Sequence, residues 1–304
     1  MITTLLNQAV IMLILICLGI LCYKIGIISE SGSKELSRLA LLVINPIVIF
    51  MAYQKKLEAR LLKGFAAALL LGVISFFIAA IISYTAVRKK KNRETDIERF
   101  SCVYSNCSFM GIPLIQALLG SEGVFYLTAY LTAFNILVWT HGVIMMSGQK
   151  SMKNIVNALT SSSVIAICLG FIFFMTGLRL PGFLGNTLDL VGSMNTPVAM
   201  IVAGATIART NILKALKNPR IYYITFLTLI LIPAVVAMVF SFIPADKTVE
   251  LSVLIAVSAP AATMCTMFSL RYDRNSLYAS EIFAVTTLAS VITMPAIVSL
   301  YQKL

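Results

Sequence analysis

Asn106-Cys107-Ser108-Phe109-Met110-Gly111-Ile112-Pro113-Leu114 lies inside a run that carries no charge from Phe100 to Ser121. A run that long and apolar predicts a membrane-spanning helix. Its middle nevertheless holds an Asn, a Ser, a Gly and a Pro. Pro113 has no N–H to donate, and its ring clashes with the carbonyl of Phe109 one turn back, so a kink or break is expected there. Gly111 lets the backbone leave helical geometry at little steric cost. Backbone groups freed in hydrocarbon need partners, so such a break is tolerated only where it is packed in protein or lines a cavity. A discontinuous helix at mid-membrane with polar side chains beside it points to a ligand site.

Composition fixes the class around that stretch. The chain is 59% hydrophobic and 12% charged, with a mean hydropathy of +0.94. Soluble domains carry about twice that share of charge. A polytopic membrane protein is the result. The net charge of +12 does not indicate nucleic acid, because basic residues of membrane proteins collect in their loops. Cys17, Cys22, Cys102, Cys107, Cys168 and Cys265 sit inside apolar runs without a metal-ligand framework, and read as small apolar packers. The N-terminus lacks a basic n-region and a small-residue cleavage site, so it reads as a retained first helix.

Uncharged runs between charged loops predict ten spans, at 3–23, 37–54, 64–87, 100–121, 123–148, 155–178, 187–208, 221–243, 251–270 and 279–301. With the first loop, 24–36, in the cytoplasm, the loops on that side hold 17 of the 24 Lys and Arg residues. The positive-inside bias then places both termini outside. The cluster at 88–93 is expected as a topology anchor near anionic lipid. Prolines interrupt the second span (Asn45-Pro46), the fourth (Pro113), the seventh (Asn195-Thr196-Pro197) and the ninth (Ala259-Pro260-Ala261). Pro46 and Pro113 are 67 residues apart, and Pro197 and Pro260 are 63 apart. The matched spacing predicts two five-helix repeats, 1–149 and 150–304. An odd number of helices per repeat makes the second run opposite to the first.

The run Ser105–Leu114 resembles the fourth helix of the auxin efflux carrier family, which includes the plant PIN carriers and bacterial permeases for malate-like and malonate-like acids. Leu119-Gly120, Trp139, Pro197, Gly204, Ala259-Pro260, Arg271-Tyr272 and Thr293-Met294-Pro295 extend the likeness along essentially the whole chain. The short link Gly148–Asn154 matches the bacterial branch rather than the plant carriers with their long central loop. The resemblance implies a fold similar to sodium–proton antiporters and bile-acid symporters, with helices four and nine broken and crossed at the membrane centre. It also implies scaffold helices in 1–56 and 150–210, transport helices in 57–149 and 211–304, an elevator-type mechanism, and a homodimer through the scaffold.

The crossover suggests what it could bind. Two half-helix ends, expected near Gly111-Ile112-Pro113 and near Ala259-Pro260-Ala261, would each carry about half a positive charge and unpaired N–H groups. Together they could balance roughly one carboxylate. Asn106 offers two donors and an acceptor beside the break, the lesser alternative being a helix–helix hydrogen bond. Asn45 and Asn195 precede prolines and could cap broken helices instead. Asn135, one turn before Trp139, loosely matches a polar position of the family. Candidates for ion coupling are His141, Asp189 and Glu281, the ionisable residues within or at the edges of spans. His141 could titrate near neutral pH, whereas Asp189 and Glu281 stand near helix starts, where a carboxylate also complements the dipole. One His and no HExxH or GxGD leave an intramembrane enzyme without its parts. The resulting expectation is a plasma-membrane carrier for a small organic anion, without cofactor or metal. The alternative is a membrane-embedded ligand sensor on the same scaffold.

Overall fold

The computed structural model describes residues 2–89, 94–148, 160–210 and 212–302. Lys90, Lys91 and Arg93 of the basic cluster, the boundary expected at 149/150 and the start of the sixth span at 155–159 lie outside the described residues. The described residues form helices and no strand. Its elements are α1 (Ile2–Lys24), α2 (Glu30–Ala52), α3 (Ala59–Ala86), α4 (Thr95–Val103), α5 (Cys107–Ser147), α6 (Ser162–Thr176), α7 (Gly182–Arg209), α8 (Pro219–Phe240), α9 (Lys247–Ser258), α10 (Thr263–Arg271) and α11 (Ser276–Tyr301). Seven of the described helices are long and apolar enough to cross a membrane: α1 from Leu6, α2, α3, α5, α7, α8 and α11. Leu6, Val10, Ile14, Leu18 and Leu21 form an exposed apolar stripe along α1. A soluble protein does not leave such bands open to water. This is a polytopic membrane protein.

α5 is one helical run of 41 residues, too long for a single crossing at about 1.5 Å per residue. It turns at Gly120, with φ 63° and ψ −159°. That region is open essentially to glycine alone, so one residue makes the corner expected from the link at 120–123.

Prolines reshape helices here in a way that differs from the break expected at Pro113. Of the wide, π-type turns among the described residues, Val138–Gly142 has no proline beyond it, whereas three others occupy Ala40–Ile44, Cys107–Gly111 and Leu227–Leu231. Each of these three ends two residues before a proline: Pro46, Pro113 and Pro233. Inside each turn lies the carbonyl that the proline ring would strike, that of Leu42, Phe109 or Leu229. One extra residue per turn moves that carbonyl aside and keeps the helix going. Gly111 (φ −74°, ψ −47°) is accordingly helical. The real interruption of this span falls upstream, at Tyr104-Ser105-Asn106, and its second half starts at Cys107 rather than near Gly111-Ile112-Pro113. The other interruption, Ala259 to Ala262, falls where it is expected.

Glycines set the closest helix contacts. Gly19 of α1 and Gly204 of α7 face each other; a Cβ on either would overlap backbone of the opposite helix, the Ile201 carbonyl or the Ile16 carbonyl. Small residues let membrane helices approach this closely. On α3, Gly64 and Gly72 receive the rings of Tyr126 and Tyr130 from α5. Tyr53, at the end of α2, packs against Gly170 of α6 and bonds Thr128 Oγ1 of α5 at 2.6 Å.

Candidate functional site

The two interruptions meet. Ser105 and Ala261 form an antiparallel bridge. The Asn106 N–H donates to the Pro260 carbonyl at 2.6 Å, and the Ala262 N–H donates to the Tyr104 carbonyl at 2.9 Å. Side chains complete the join: Ser105 Oγ donates to the Ala256 carbonyl at 2.7 Å, and the Ala261 N–H donates to Thr286 Oγ1 at 3.3 Å. Each broken helix thus satisfies part of the other's backbone, which the hydrocarbon core demands. The N–H groups of Asn106, Ala261 and Ala262 are therefore occupied within the protein. The half-helices themselves start one step on, at Cys107 and Thr263.

Two cavities lie at either end of α2 and α7, and the join residues 104–106 and 259–262 line neither. One, of about 730 Å³, is walled by α1, α2, α7, α10 and α11, and includes Arg38, Leu41, Val202, Arg209, Thr263 and Thr266. The other, of about 400 Å³, includes Val48, Ile112, Pro113, Gln116, Asp189 and Asn195. We call them the Arg38 cavity and the Asn195 cavity. They use opposite ends of the same two helices. On α2 the first reaches Leu41 and the second begins at Val48; on α7 the second reaches Thr196 and the first begins at Val202. Six residues on α2 and five on α7 lie between them, a septum of roughly 10 Å at the helical rise. The first cavity touches the start of α10 at Thr263 and Thr266, whereas the second meets α5 at Ile112 and Pro113, five and six residues past its start at Cys107.

The charges differ between the two. Lys34, Arg38 and Arg209 against Glu30 give the Arg38 cavity an excess of positive charge, with Glu30 paired to Lys34 at 2.9 Å and to Arg209 at 2.7 Å. Asp189 is the charged residue among those lining the Asn195 cavity. Lys55 reaches its rim indirectly, donating to Ser121 Oγ at 2.8 Å. Burial moves the Lys55 ammonium below the ordinary lysine range.

The expected residues distribute unevenly over this geometry. Asn106, 6% exposed, sits at the join with its Nδ2 lacking a partner. Asn45, 1% exposed, ends the wide turn of α2 with an unpartnered Oδ1. Asn195 lines its cavity with neither amide atom partnered. Asn135 instead donates Nδ2 to the Leu131 carbonyl of its own helix at 2.7 Å. Gly111 faces α9, where a Cβ would stand 3.9 Å from Ala256 Cα. Ala259, Pro260 and Ala261 are buried in the join itself. His141 bonds Tyr104 Oη through Nδ1 at 2.8 Å and Tyr84 Oη through Nε2 at 3.2 Å. Asp189 is exposed at its cavity. Glu281 is buried, with Oε1 unpartnered.

Nothing in the local sequence announces Glu98. It is 1% exposed and accepts two hydrogen bonds from Arg220 at 2.8 and 2.7 Å and one from Tyr278 at 3.0 Å. This ties α4, α8 and α11 together beneath the join. Spans read as uncharged runs begin just after both charged partners, at 100 and 221, and partners 122 residues apart leave no local pattern.

Comparison with known proteins agrees with this architecture. The sequence model of the family described as "Membrane transport protein" matches residues 4–158 and 146–298. An uncharacterized transporter of Methanothermobacter thermautotrophicus is 23% identical over 291 residues, covering 93% of this chain and 94% of that protein. The uncharacterized transporter YfdV of Escherichia coli K12 is 21% identical over 307 residues, covering 97% of each. The family match spans nearly the whole chain and both helix breaks, so the protein belongs to the membrane transport family of the auxin efflux carriers and is a transporter, not an enzyme.

Proposed function

We propose that this transporter moves a small organic anion across the plasma membrane, binding its carboxylate at the crossed breaks. The observation that carries this reading is the pair of cavities set at opposite ends of α2 and α7 with a short septum between them. A thin septum with access from either side is what alternating access requires. The sign of the cargo comes from the half-helix starts, whose N–H groups and dipoles favour negative charge. Basic residues at the Arg38 cavity add attraction for an anion on that side. Asn106 Nδ2, buried and without a partner, is a donor available to a carboxylate oxygen.

The finer mechanism in this proposal is an elevator on a ten-span inverted repeat. Scaffold helices in 1–56 and 150–210 hold still and pair two copies into a dimer, while the helices in 57–149 and 211–304 move with the substrate. The close Gly19–Gly204 contact supports a rigid scaffold seam. Reconstitution decides the function: proteoliposomes with purified protein should take up a labelled organic acid down its gradient, faster than protein-free vesicles. Binding without flux for every acid that binds would replace transport by sensing. Mass measurement in nanodiscs showing monomer at all concentrations would remove the dimer.

A further inference from the structure

The wide turn at Val138–Gly142 has no proline to account for it. It holds His141, the one histidine of the chain. Wide turns inside helices often mark functional positions. Here the turn sets the imidazole between two phenols. Tyr104 Oη stands 2.8 Å from Nδ1, and Tyr84 Oη stands 3.2 Å from Nε2. Tyr104 Oη also donates to the Leu137 carbonyl at 2.9 Å. A phenol has one proton to give. With that proton on the Leu137 carbonyl, Nδ1 carries the hydrogen of the bond to Tyr104, and Nε2 accepts from Tyr84. The other tautomer would spend the Tyr104 proton on Nδ1 and turn an oxygen lone pair against the Leu137 carbonyl.

This arrangement takes up a proton without losing a partner. A proton from water, added at Nε2, makes that nitrogen a donor to a Tyr84 lone pair, and the Tyr84 hydrogen swings away. Tyr84 is 43% exposed and lies two residues before the end of α3, so the swing is open to it. Tyr104 keeps its bond from Nδ1 in both forms. Tyr104 is also the residue whose carbonyl accepts from the Ala262 N–H at the join. The new charge therefore stands one tyrosine side chain from the join and leaves the join intact. The charged groups on the surrounding elements are already engaged. The Arg99 guanidinium lies 4.3 Å over the Tyr84 ring and donates to the Val87 carbonyl. Arg274 donates to the Met146 carbonyl and pairs with Asp96 at 3.7 Å. Among the described residues, no carboxylate pairs with His141 to neutralise it.

We propose that His141 is a proton sensor for the crossed breaks: acid on the side of the α3–α4 loop protonates Nε2, and the imidazolium strengthens binding of the anion at the join. The proton is a regulator and not cargo. His141 stands about 30 Å along its helix from the corner at Gly120, a full bilayer thickness, and so at one face of the membrane. This rests on the anion reading above and adds a regulator to it. Linkage makes the effect reciprocal, so binding of the anion draws a proton onto His141.

A single histidine makes the test clean. Full-length protein purified without a histidine tag and carrying isotope-labelled histidine gives one imidazole signal by NMR in nanodiscs. That signal should report the Nδ1–H tautomer at about pH 8 and titrate to the imidazolium on acidification to about pH 5. Benzoate, lactate and pyruvate serve as probes, since all three stay ionised through most of this range. An acid that binds should do so at least about fivefold more tightly at about pH 5.5 than at about pH 8. Calorimetry in buffers of different ionisation heat should read proton uptake on binding. His141→Gln should lose both effects. The Nε2–H tautomer, or a signal that does not titrate, overturns the sensor. Affinity that follows pH identically in the wild type and in His141→Gln overturns it as well. Each of these results leaves the anion reading standing. Failure of every acid to bind at either pH overturns the anion reading and the sensor together.

Discussion

Asn106 bears on the site in two ways at once. Its backbone N–H holds the join by donating to Pro260, while its side-chain donor is left open. Substitution separates the two roles, because Asn106→Ala keeps the backbone bond. Losing a side-chain hydrogen bond to a charged group is typically worth about 1.5–3 kcal/mol, so affinity for the anion should fall roughly tenfold to hundredfold. Asn106→Asp is close in shape but sets a negative charge against the substrate's own, and should bind more weakly than Ala. Calorimetry on folded, expression-matched variants checks the order, and equal affinity in all three proteins would make Asn106 a packing residue. Gly204 invites a second test. A methyl group there would meet backbone, not a flexible side chain, and overpacking typically costs about 1–3 kcal/mol. Gly204→Ala should lower the apparent Tm. Gly185→Ala on the same helix, where a Cβ meets nothing within 4 Å, should not.

At the scale of elements, the wide turns are the feature a sequence reader gets half right. Composition and hydropathy made the membrane class legible, and Pro260 with its small neighbours made the second break legible. Pro113 was legible as a disturbance but not as its kind. A proline removes a donor and adds a clash, and either a break or an inserted residue answers both demands. The break beside it, at Tyr104–Asn106, carries no proline or glycine. It is held open by Pro260 and Ala262 from the far half of the chain, and long-range pairing leaves no local signature. The same holds for Glu98 and Arg220. Pro113→Ala tests this explanation. With a donor restored and the ring gone, the turn at Cys107–Gly111 should relax toward α geometry. Removing one residue from the turn rotates the upstream break by about 100° relative to the downstream helix. Substrate affinity should therefore fall although Pro113 contributes no hydrogen bond. Unchanged binding and an unchanged wide turn in the variant's structure would show that packing, not proline, sets it.

For the whole molecule, orientation is the property most open to a simple measurement. In the orientation expected from the excess of Lys and Arg in alternate loops, the Arg38 cavity would face the cytoplasm and the Asn195 cavity the outside. In a cysteine-free background, a single cysteine at position 186 should react with an impermeant thiol reagent on intact cells, and one at position 34 should react only after permeabilisation. The opposite pattern would turn the molecule over and exchange the faces of the two cavities. Flux assays would then need reading in the other direction, with the basic vestibule taking anion from outside.

The join also constrains how the protein is made. Ser105 and Ala261 are 156 residues apart, so when the ribosome has delivered the first half, the strand-like stretch at Tyr104–Asn106 is already in the bilayer with no partner. Its N–H and C=O groups must be covered by neighbouring helices or by the insertion machinery until α9 and α10 arrive. Closing so long a loop makes this pairing a late event in biogenesis. Chains truncated before Ala259 should accordingly be poor survivors of membrane quality control, even though every helix of their first half is present.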